Sequence, residues 1–206
     1  MRISELSERS GVTIATLKYY LREGVLHAGE LQGATRAVYD ESHLERVRLV
    51  RTLVDVGRLS IERVREVVQA IDAPPATRHD LLGAAHEALR PPTHTAAPTD
   101  DALASVAALG LPDCERSAAT NQLAHALTAA AAGGWAIEPA TLAVWLDAMH
   151  EVARTDVVAE LGEVSASEAL RYAIVGNVLT DPVLLALRRV AQEAVSAERF
   201  GTGAAR

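Results

Sequence analysis

The sequence predicts a mainly α fold, with a small β-hairpin near the N-terminus and an all-α helical bundle in the second half of the chain. Apolar residues recur at spacings of three and four through most of the 206 residues, as in helices with one buried face. Residues 35–39 alternate as a strand does, and no strand pattern follows residue 40. The proline-rich residues 91–101 read PPTHTAAPTDD and separate the two halves as a linker.

The first two predicted helices are short and are joined by a glycine turn. Helix one spans about residues 4–10, with Ser4 as its N-cap and Gly11 as the left-handed residue that ends it. Helix two begins after the capping residue Thr13 and ends at Gly24. Its buried stripe is predicted at Ile14, Leu17 and Leu21. Two such helices form a helix-turn-helix unit, whose second helix enters the major groove of DNA.

Residues 25–39 predict a small hairpin, or wing, punctuated by Gly29 and Gly33. Asp40 then caps a third helix that closes at Gly57, and Ser60 caps a fourth helix. The third helix is expected to bury Leu44, Val47, Val50, Leu53 and Val54, and the fourth Ile61, Val64, Val67, Val68 and Ile71. Together these elements predict a winged helix-turn-helix DNA-binding domain over residues 1–72.

The rest of the chain is predicted to be helical. Residues 73–99 contain a short helix at about 76–90 and the start of the linker. An effector-binding or oligomerisation domain is expected over residues 100–206. Its predicted helices cover about 101–109, 114–132, 139–160, 165–180 and 183–199.

The composition is that of a soluble globular protein. Hydrophobic residues make up 49% of the chain and charged residues 23%. No apolar run approaches the roughly 18 residues of a membrane span. The N-terminal stretch lacks the apolar core of a secretory signal, and the lone Cys114 cannot form an internal disulfide. We therefore expect a cytoplasmic protein with no membrane partner.

The net charge of −7 is unevenly distributed. Residues 1–71 carry 11 Lys and Arg against 10 Asp and Glu, a net of +1, whereas residues 72–206 carry 9 Arg against 17 Asp and Glu, a net of −8. A near-neutral domain can still bind phosphates if its cations share one face, because the local potential decides.

One face of the second helix has the chemistry of a DNA contact. Ala15, Lys18, Tyr19 and Arg22 lie at spacings i, i+3, i+4 and i+7, opposite the buried stripe. The small Ala15 allows close approach to bases, while the other three side chains donate to guanine or phosphate oxygens. An ordinary solvated helix face has a similar composition. The wing favours the DNA contact, because Arg36 and Tyr39 lie where a winged motif touches phosphates or the minor groove.

The third helix adds three arginines, Arg46, Arg48 and Arg51. Arg48 and Arg51 are three residues apart and share a side of the helix. They are suited to contacting the DNA backbone, and equally to pairing with Glu45 and Asp55.

Residues 2–71 carry motifs more specific than a bare helix-turn-helix. These are Gly11-Val12-Thr13 at the turn, Thr16-Leu17-Lys18-Tyr19-Tyr20 in the second helix, Arg22-Glu23-Gly24 after it, Arg36 and Tyr39-Asp40 at the wing, and Leu59-Ser60-Ile61 at the fourth helix. With these motifs the segment strongly resembles the MerR family of transcription regulators.

The resemblance implies a homodimer on a near-palindromic operator between promoter elements. It also implies an effector-triggered twist of the DNA that lets RNA polymerase engage. The family's DNA-contact positions are occupied by Lys18, Tyr19, Arg36 and Tyr39, and the complete expected interface is Ala15, Thr16, Lys18, Tyr19, Arg22, Arg36, Tyr39, Arg48 and Arg51.

The chain departs from the family pattern at two places. Thr35 stands where the family often has an aromatic residue beside the wing arginine. Pro91 and Pro92 limit the helix after the fourth to about 15 residues, or about 22 Å, where family members usually have a long dimerisation helix. The dimer contact therefore comes either from the 76–90 helix or from the C-terminal bundle.

Metal and cofactor chemistry have little support in the sequence. A thiolate site needs paired cysteines, and Cys114 is alone. His79 and His86 share a helix side but lack a third nearby ligand. No nucleophile elbow, phosphate loop or carboxylate pair predicts an enzyme. We expect no metal, no cofactor and no catalysis.

The C-terminal bundle is a candidate effector domain. Its expected apolar pocket for an organic small molecule is lined in part by Trp135, Trp145, Met149 or Tyr172. A filled core with no cavity is the alternative, and Trp145 in particular has the spacing of a core residue. At the level of function, the alternatives are an architectural or recombination accessory protein and an enzyme fused to a DNA-binding head.

Overall fold

The computed structural model describes residues 1–32, 36–89, 97–111, 117–156 and 163–200. These residues are mainly helical, with one two-stranded antiparallel hairpin. The elements are α1 (Ile3–Ser10), α2 (Ile14–Arg22), β1 (Glu30–Gln32), β2 (Arg36–Val38), α3 (Glu41–Arg51), α4 (Ile61–Asp72), α5 (Arg78–Ala88), α6 (Asp100–Ala107), α7 (Ala118–Ala132), α8 (Pro139–Asp156) and α9 (Ala166–Phe200). The predicted fold class is confirmed. Within the described ranges no strand follows β2.

Local signals placed α1 and α2 well. Gly11 ends α1 in the left-handed region with φ 67°, and the Thr13 side chain caps α2 by accepting from the Thr16 N–H. The prediction of Ser4 as the N-cap of α1 is wrong. Its cap residue is Arg2, which makes no side-chain capping bond, and Ser4 lies inside the helix.

The buried side of α2 also differs in part from the prediction. Leu17 is fully buried, as expected, but its buried companion is Tyr20. Ile14 lies at the first turn of α2, where it is exposed. Burial raises the pKa of the Tyr20 hydroxyl.

The hairpin forms the predicted wing. Its strands pair antiparallel with Leu31 opposite Ala37 and Gln32 opposite Arg36. Gly33 and Thr35, between the two strands in sequence, lie outside the described residues, so the departure at Thr35 receives no structural account.

The third helix begins at the predicted cap and ends in an unpredicted π-helical turn. Asp40 accepts from the Ser42 and His43 N–H groups, which confirms it as the N-cap. After Arg51 the backbone continues as a π-helix over Thr52–Val56 and closes at Gly57. Ser60 caps α4 as expected, since its hydroxyl accepts from the Arg63 N–H.

Contacts divide the chain into two compact units. One contains the residues up to Arg65 together with α9 from Val175 onward, and the other contains Glu66–Ile174. In the first unit, α9 passes Gly57, where a Cβ atom would lie 3.2 Å from Val178 Cγ1. The core of this unit includes Leu6, Leu17, Val25, Leu26, Leu44, Val47, Val50, Leu53 and Val64.

The second unit is a helical bundle with a core of small and medium side chains. This core contains Ala102, Val106, Ala124, Leu127 and Leu142, from α6, α7 and α8. The predicted segments 165–180 and 183–199 are in fact one helix, α9, with Pro182 inside it. Proline removes one backbone hydrogen bond, but the helix continues through it into Leu184-Leu185-Ala186-Leu187, a run of strong helix formers.

One helix, α9, is long and apolar enough to cross a membrane by length and composition alone, with a mean hydropathy of 1.3 over 18 residues. The sequence pattern predicted no such stretch. Only 17% of that window is buried, and a single helix of this kind is weak evidence, so this property by itself assigns no membrane role.

Candidate nucleic-acid interface

The outward face of α2 presents a small residue, two cations and a phenol. Ala15, Lys18 and Arg22 are exposed, and Tyr19 is partly exposed. The Arg22 guanidinium lies over the Tyr19 ring, 5.1 Å from its centroid. This cation–π contact holds both side chains on the same face. Thr16, also in the predicted interface, is half-buried, and its hydroxyl lies 2.9 Å from that of Thr13.

The turn before α2 fixes the direction of that helix. The Ser7 hydroxyl donates to the Val12 carbonyl at 2.6 Å, and the Val12 N–H donates to the Ser10 hydroxyl at 3.3 Å. Val12 is buried. The two serines therefore tie the last turn of α1 to the first residues before α2, which limits how far α2 can rotate against α1.

An ion pair holds the other end of α2. Arg65 on α4 donates to the Glu23 carbonyl at 2.6 Å and to the Glu23 carboxylate at 2.9 Å. Glu23 also receives a longer contact from Arg22, at 3.4 Å. Because both charges of the Arg65 pair are partly buried, we expect this contact to position α2 more firmly than a surface ion pair does. No local pattern in the sequence marks Arg65, which lies 42 residues from its partner.

The wing presents Arg36 and packs Tyr39. Arg36 is exposed, as a phosphate contact requires. Tyr39 is only 6% exposed, and its ring packs edge-on against His43 with centroids 5.1 Å apart. A residue so buried offers little surface to DNA, so we expect Tyr39 to support the wing from beneath. Gly29 permits this packing, because a Cβ there would lie 2.8 Å from the Val38 carbonyl and 3.0 Å from the Tyr39 ring.

The wing also exposes a residue that the sequence analysis did not weigh. Leu31, opposite Ala37 in the hairpin, is largely exposed. An apolar side chain on a wing is suited to contact with sugars in the minor groove. Its position outside a helical stripe gave no signal in the sequence.

The arginines of α3 take different roles. Arg51 pairs with Asp55 at 3.2 Å, one of the two outcomes left open by the sequence. Arg48 is exposed. Its side chain lies near enough to Glu41 to help lower the pKa of that carboxyl. The main cause of that lowering is a two-pronged hydrogen bond from Arg9, at 2.5 and 2.9 Å. This pair joins α1 to α3 across the base of the domain.

The four residues proposed for an effector pocket are all exposed. Trp135 is 73% exposed, and Trp145, Met149 and Tyr172 are each close to half exposed. The expectation of a core position for Trp145 is therefore wrong, because Leu142 and not Trp145 is the buried residue of α8. Cys114 lies outside the described residues, and so does the His79 side chain.

Comparison with known proteins places this geometry in context. The family model described as "MerR HTH family regulatory protein" matches residues 1–71. The chain is similar to the nodulation protein NolA of Bradyrhizobium elkanii, with 35% identity over 68 residues, covering 33% of this chain and 31% of that protein. NolA of Bradyrhizobium diazoefficiens is similar at 35% identity over 68 residues, covering 33% of this chain and 28% of that protein. The match thus spans under a third of each relative's length.

A likeness over the whole chain comes from a solved structure. The crystal structure of the transcriptional regulator SCO5550 from Streptomyces coelicolor A3(2) is similar, with a TM-score of 0.68 and 36% identity. The alignment covers 100% of both chains. The helical second half is therefore part of the likeness, together with the winged first half.

Proposed function

Since the chain belongs to the MerR family of helix-turn-helix transcription regulators, we propose that it binds promoter DNA as a homodimer and regulates transcription by distorting that DNA when an effector is bound. The observation that carries the proposal is the exposed face of Ala15, Lys18, Tyr19 and Arg22 on α2, with the exposed Arg36 on the wing.

In this proposal the residues contact different parts of the DNA. Lys18 and Ala15 enter the major groove, where Lys18 donates to guanine or phosphate oxygens. Tyr19 and Arg22 bind the DNA backbone as a stacked pair, and Arg36 binds phosphate at the adjacent minor groove. Arg48 and Thr16 lie at the margin of this surface. Arg51 contributes less, because Asp55 partly neutralises its charge.

The exposed end of α9 is the argument for a dimer. Every residue from Leu185 to Phe200 is exposed, although a lone helix of this length is marginal in water. One side of it is apolar at spacings of three and four. This α9 stripe consists of Leu179, Val183, Leu187, Val190, Ala194 and Ala197.

Charge on α9 favours a second copy of the chain as the partner. Arg189 and Glu193 are four residues apart on one flank of the α9 stripe, on either side of its midpoint near Val190. When two α9 helices pair antiparallel about that midpoint, each Arg189 comes next to the partner's Glu193, and the two pairs form together. In this scheme the dimer contact lies on α9 and not on the 76–90 helix.

We assign the input signal to the Glu66–Ile174 unit. Its exposed aromatic residues and its excess of 15 Asp and Glu over 5 Arg favour a neutral or cationic organic effector. In this scheme RNA polymerase is engaged indirectly, through the altered DNA. The protein acts in the cytoplasm without catalysis. An architectural protein with the same winged head would bind DNA without responding to a ligand.

Binding of the full chain to promoter DNA tests the proposal. We expect Lys18→Ala and Arg36→Ala each to weaken binding and to lower the slope of log affinity against log salt by about 1, because each lost phosphate contact releases about one counterion fewer. The matched control is Arg154→Ala, which removes one exposed cation from α8. Slopes equal to wild type in both variants, or an equal loss in the control, would contradict the proposed interface.

A further inference from the structure

Two histidines and an aspartate meet at the base of the wing, apart from the DNA-binding face. His27 comes from the segment between α2 and β1, whereas Asp40 and His43 form the capping box of α3. Each offers a metal-ligand atom, and the three atoms all lie within 4.8 Å of one another. Asp40 and His43 already contact each other in the capping box, and His27 joins them from a different segment.

The two imidazole rings are in close contact. Their centroids are 3.8 Å apart, with the ring planes tilted by 39°. Two positively charged rings at this distance would repel each other strongly. At least one ring is therefore neutral and carries a lone pair on one nitrogen.

The partners of His43 determine which of its nitrogens carries a lone pair. His43 Nε2 lies 3.4 Å from the Ala28 carbonyl oxygen, which only accepts, so Nε2 carries the hydrogen. His43 Nδ1 lies 3.1 Å from the Asp40 backbone N–H, which only donates. The Nδ1 lone pair thus points toward Asp40, whose Oδ1 is also an acceptor and lies 2.7 Å away.

A proton between His43 Nδ1 and Asp40 Oδ1 accounts for this short contact, and Oδ1 also accepts from the Ser42 and His43 N–H groups. A divalent ion in place of that proton would use the same two atoms and a nitrogen of His27. Two imidazole nitrogens with a carboxylate oxygen are a preferred zinc ligand set. In a tetrahedral zinc site, ligand atoms are about 3.4 Å apart. His43 Nδ1 and Asp40 Oδ1 must therefore move apart by less than about 1 Å to admit the ion. The exposure of His27 and Asp40 leaves an entry path and a position for water.

The atoms around the ligands have the arrangement of an outer shell. The Ala28 carbonyl orients the His43 ring through Nε2, as outer partners of metal-bound histidines do. The Ser42 hydroxyl donates to Asp40 Oδ1 at 2.6 Å and lies 3.1 Å from His27 Nε2. Ser42 therefore already connects two of the three ligands.

We propose that His27, Asp40 and His43 form a binding site for one divalent zinc ion per chain. A bound ion links the segment before β1 to the first turn of α3, and these two places anchor the two ends of the hairpin. Zinc therefore holds the wing in one position relative to α3. The site is separate from the proposed effector residues on the second unit.

Zinc titration of the full, chelator-treated chain tests the site. We expect calorimetry to give one saturable site per chain. Substituting Co²⁺ should give the visible absorption of a tetrahedral site with nitrogen and oxygen ligands. His27→Ala should weaken binding at least tenfold, since it removes one of three ligands from an exposed position outside the α3 cap. Asp40→Asn should weaken it similarly while keeping an N-cap acceptor.

The control is His150→Ala, an exposed histidine on α8, which should bind zinc as the wild type does. Zinc should also slow amide hydrogen exchange in β1 and β2 of the wild type and not of His27→Ala. The proposal is overturned by the lack of a saturable site, or by binding that His27→Ala leaves unchanged. Neither outcome depends on DNA, so the proposed regulatory function is tested separately by Lys18→Ala and Arg36→Ala.

Discussion

At the scale of single residues, Tyr19 combines two roles that substitution can separate. Its hydroxyl is suited to donating to phosphate, and its ring supports the Arg22 guanidinium. Tyr19→Phe keeps the ring, so we expect it to cost only about 0.5–1.5 kcal/mol of DNA-binding free energy, the worth of one neutral hydrogen bond. Tyr19→Leu removes the cation–π contact as well and should cost more. Fluorescence anisotropy with a labelled promoter fragment measures both.

The prediction requires that Tyr19→Leu loses more DNA-binding free energy than Tyr19→Phe. Equal losses in Tyr19→Phe and Tyr19→Leu would assign the whole effect to the hydroxyl. No loss in either variant would remove Tyr19 from the interface.

Residue positions were predicted well where the signal is local. The caps Thr13, Asp40 and Ser60 follow from a polar side chain within three residues of the N–H it accepts from. Ser4 has the same local signal, but α1 starts one residue before it. The burial of Tyr39 depends on Gly29 and His43, which come from different elements. A spacing rule along one segment contains no information on such a contact.

The proposed zinc site of His27, Asp40 and His43 also depends on a contact between elements that the sequence does not predict. Asp40 and His43 are three residues apart and visible as a cap. His27 is brought to them only when the chain between α2 and β1 folds back on α3. The histidines at helical spacing in the sequence are His79 and His86, whereas this cluster has no such spacing.

At the scale of elements, the packing of the wing requires a glycine at position 29, whereas α5 has room for a side chain at Gly83. At Gly29 a Cβ would lie 2.8 Å from the Val38 carbonyl, so Gly29→Ala pushes β2 and Tyr39 away. We expect a lower melting temperature and weaker DNA binding. In α5, a Cβ at Gly83 meets nothing within 4 Å, so Gly83→Ala should stabilise the protein by about 0.4–1 kcal/mol. Thermal unfolding followed by circular dichroism measures both variants.

The two variants test whether the space around each glycine decides the effect of an added methyl group on stability. A stabilised Gly29→Ala would mean that β2 moves without cost and that the wing is loosely held. A destabilised Gly83→Ala would mean that α5 packs against something on that side.

Whole elements were predicted where their hydrophobic period is long and unbroken, and missed where tertiary structure decides. The helices and the hairpin of the first half follow from spacing and turn residues. The π-helical turn at Thr52–Val56 has no sequence signature of its own. In α9 the sequence predicted a helix end before Pro182, but the helix continues into the strong helix formers that follow it.

At the scale of the whole molecule, the compact units are not consecutive segments. The part of α9 from Val175 onward belongs to the N-terminal unit, where Val178 lies beside Gly57, more than a hundred residues away in sequence. Sequence periodicity predicts that a helix has a buried side but not what covers it. For the same reason it left the dimerisation segment open between two candidates.

The exposed α9 stripe gives the sharpest test of the assembly. Val190 lies at the midpoint of the α9 stripe and is 61% exposed, while Leu185 on the other side of the same helix is 47% exposed. In an antiparallel pair, Val190→Glu brings two carboxylates together in an apolar contact, which costs free energy through both repulsion and desolvation. Leu185→Glu adds the same charge outside the contact. Sedimentation at micromolar concentration should therefore give a monomer for Val190→Glu and a dimer for Leu185→Glu and the wild type.

The same variants connect assembly to function. A Val190→Glu monomer keeps α2 and the wing intact, so it should bind a single half-site about as well as one wild-type subunit does. It should bind the full palindrome much more weakly, because the two heads no longer share one binding event. A wild-type chain that sediments as a monomer, or a Val190→Glu variant that remains dimeric, would show that the α9 stripe is not the dimer contact.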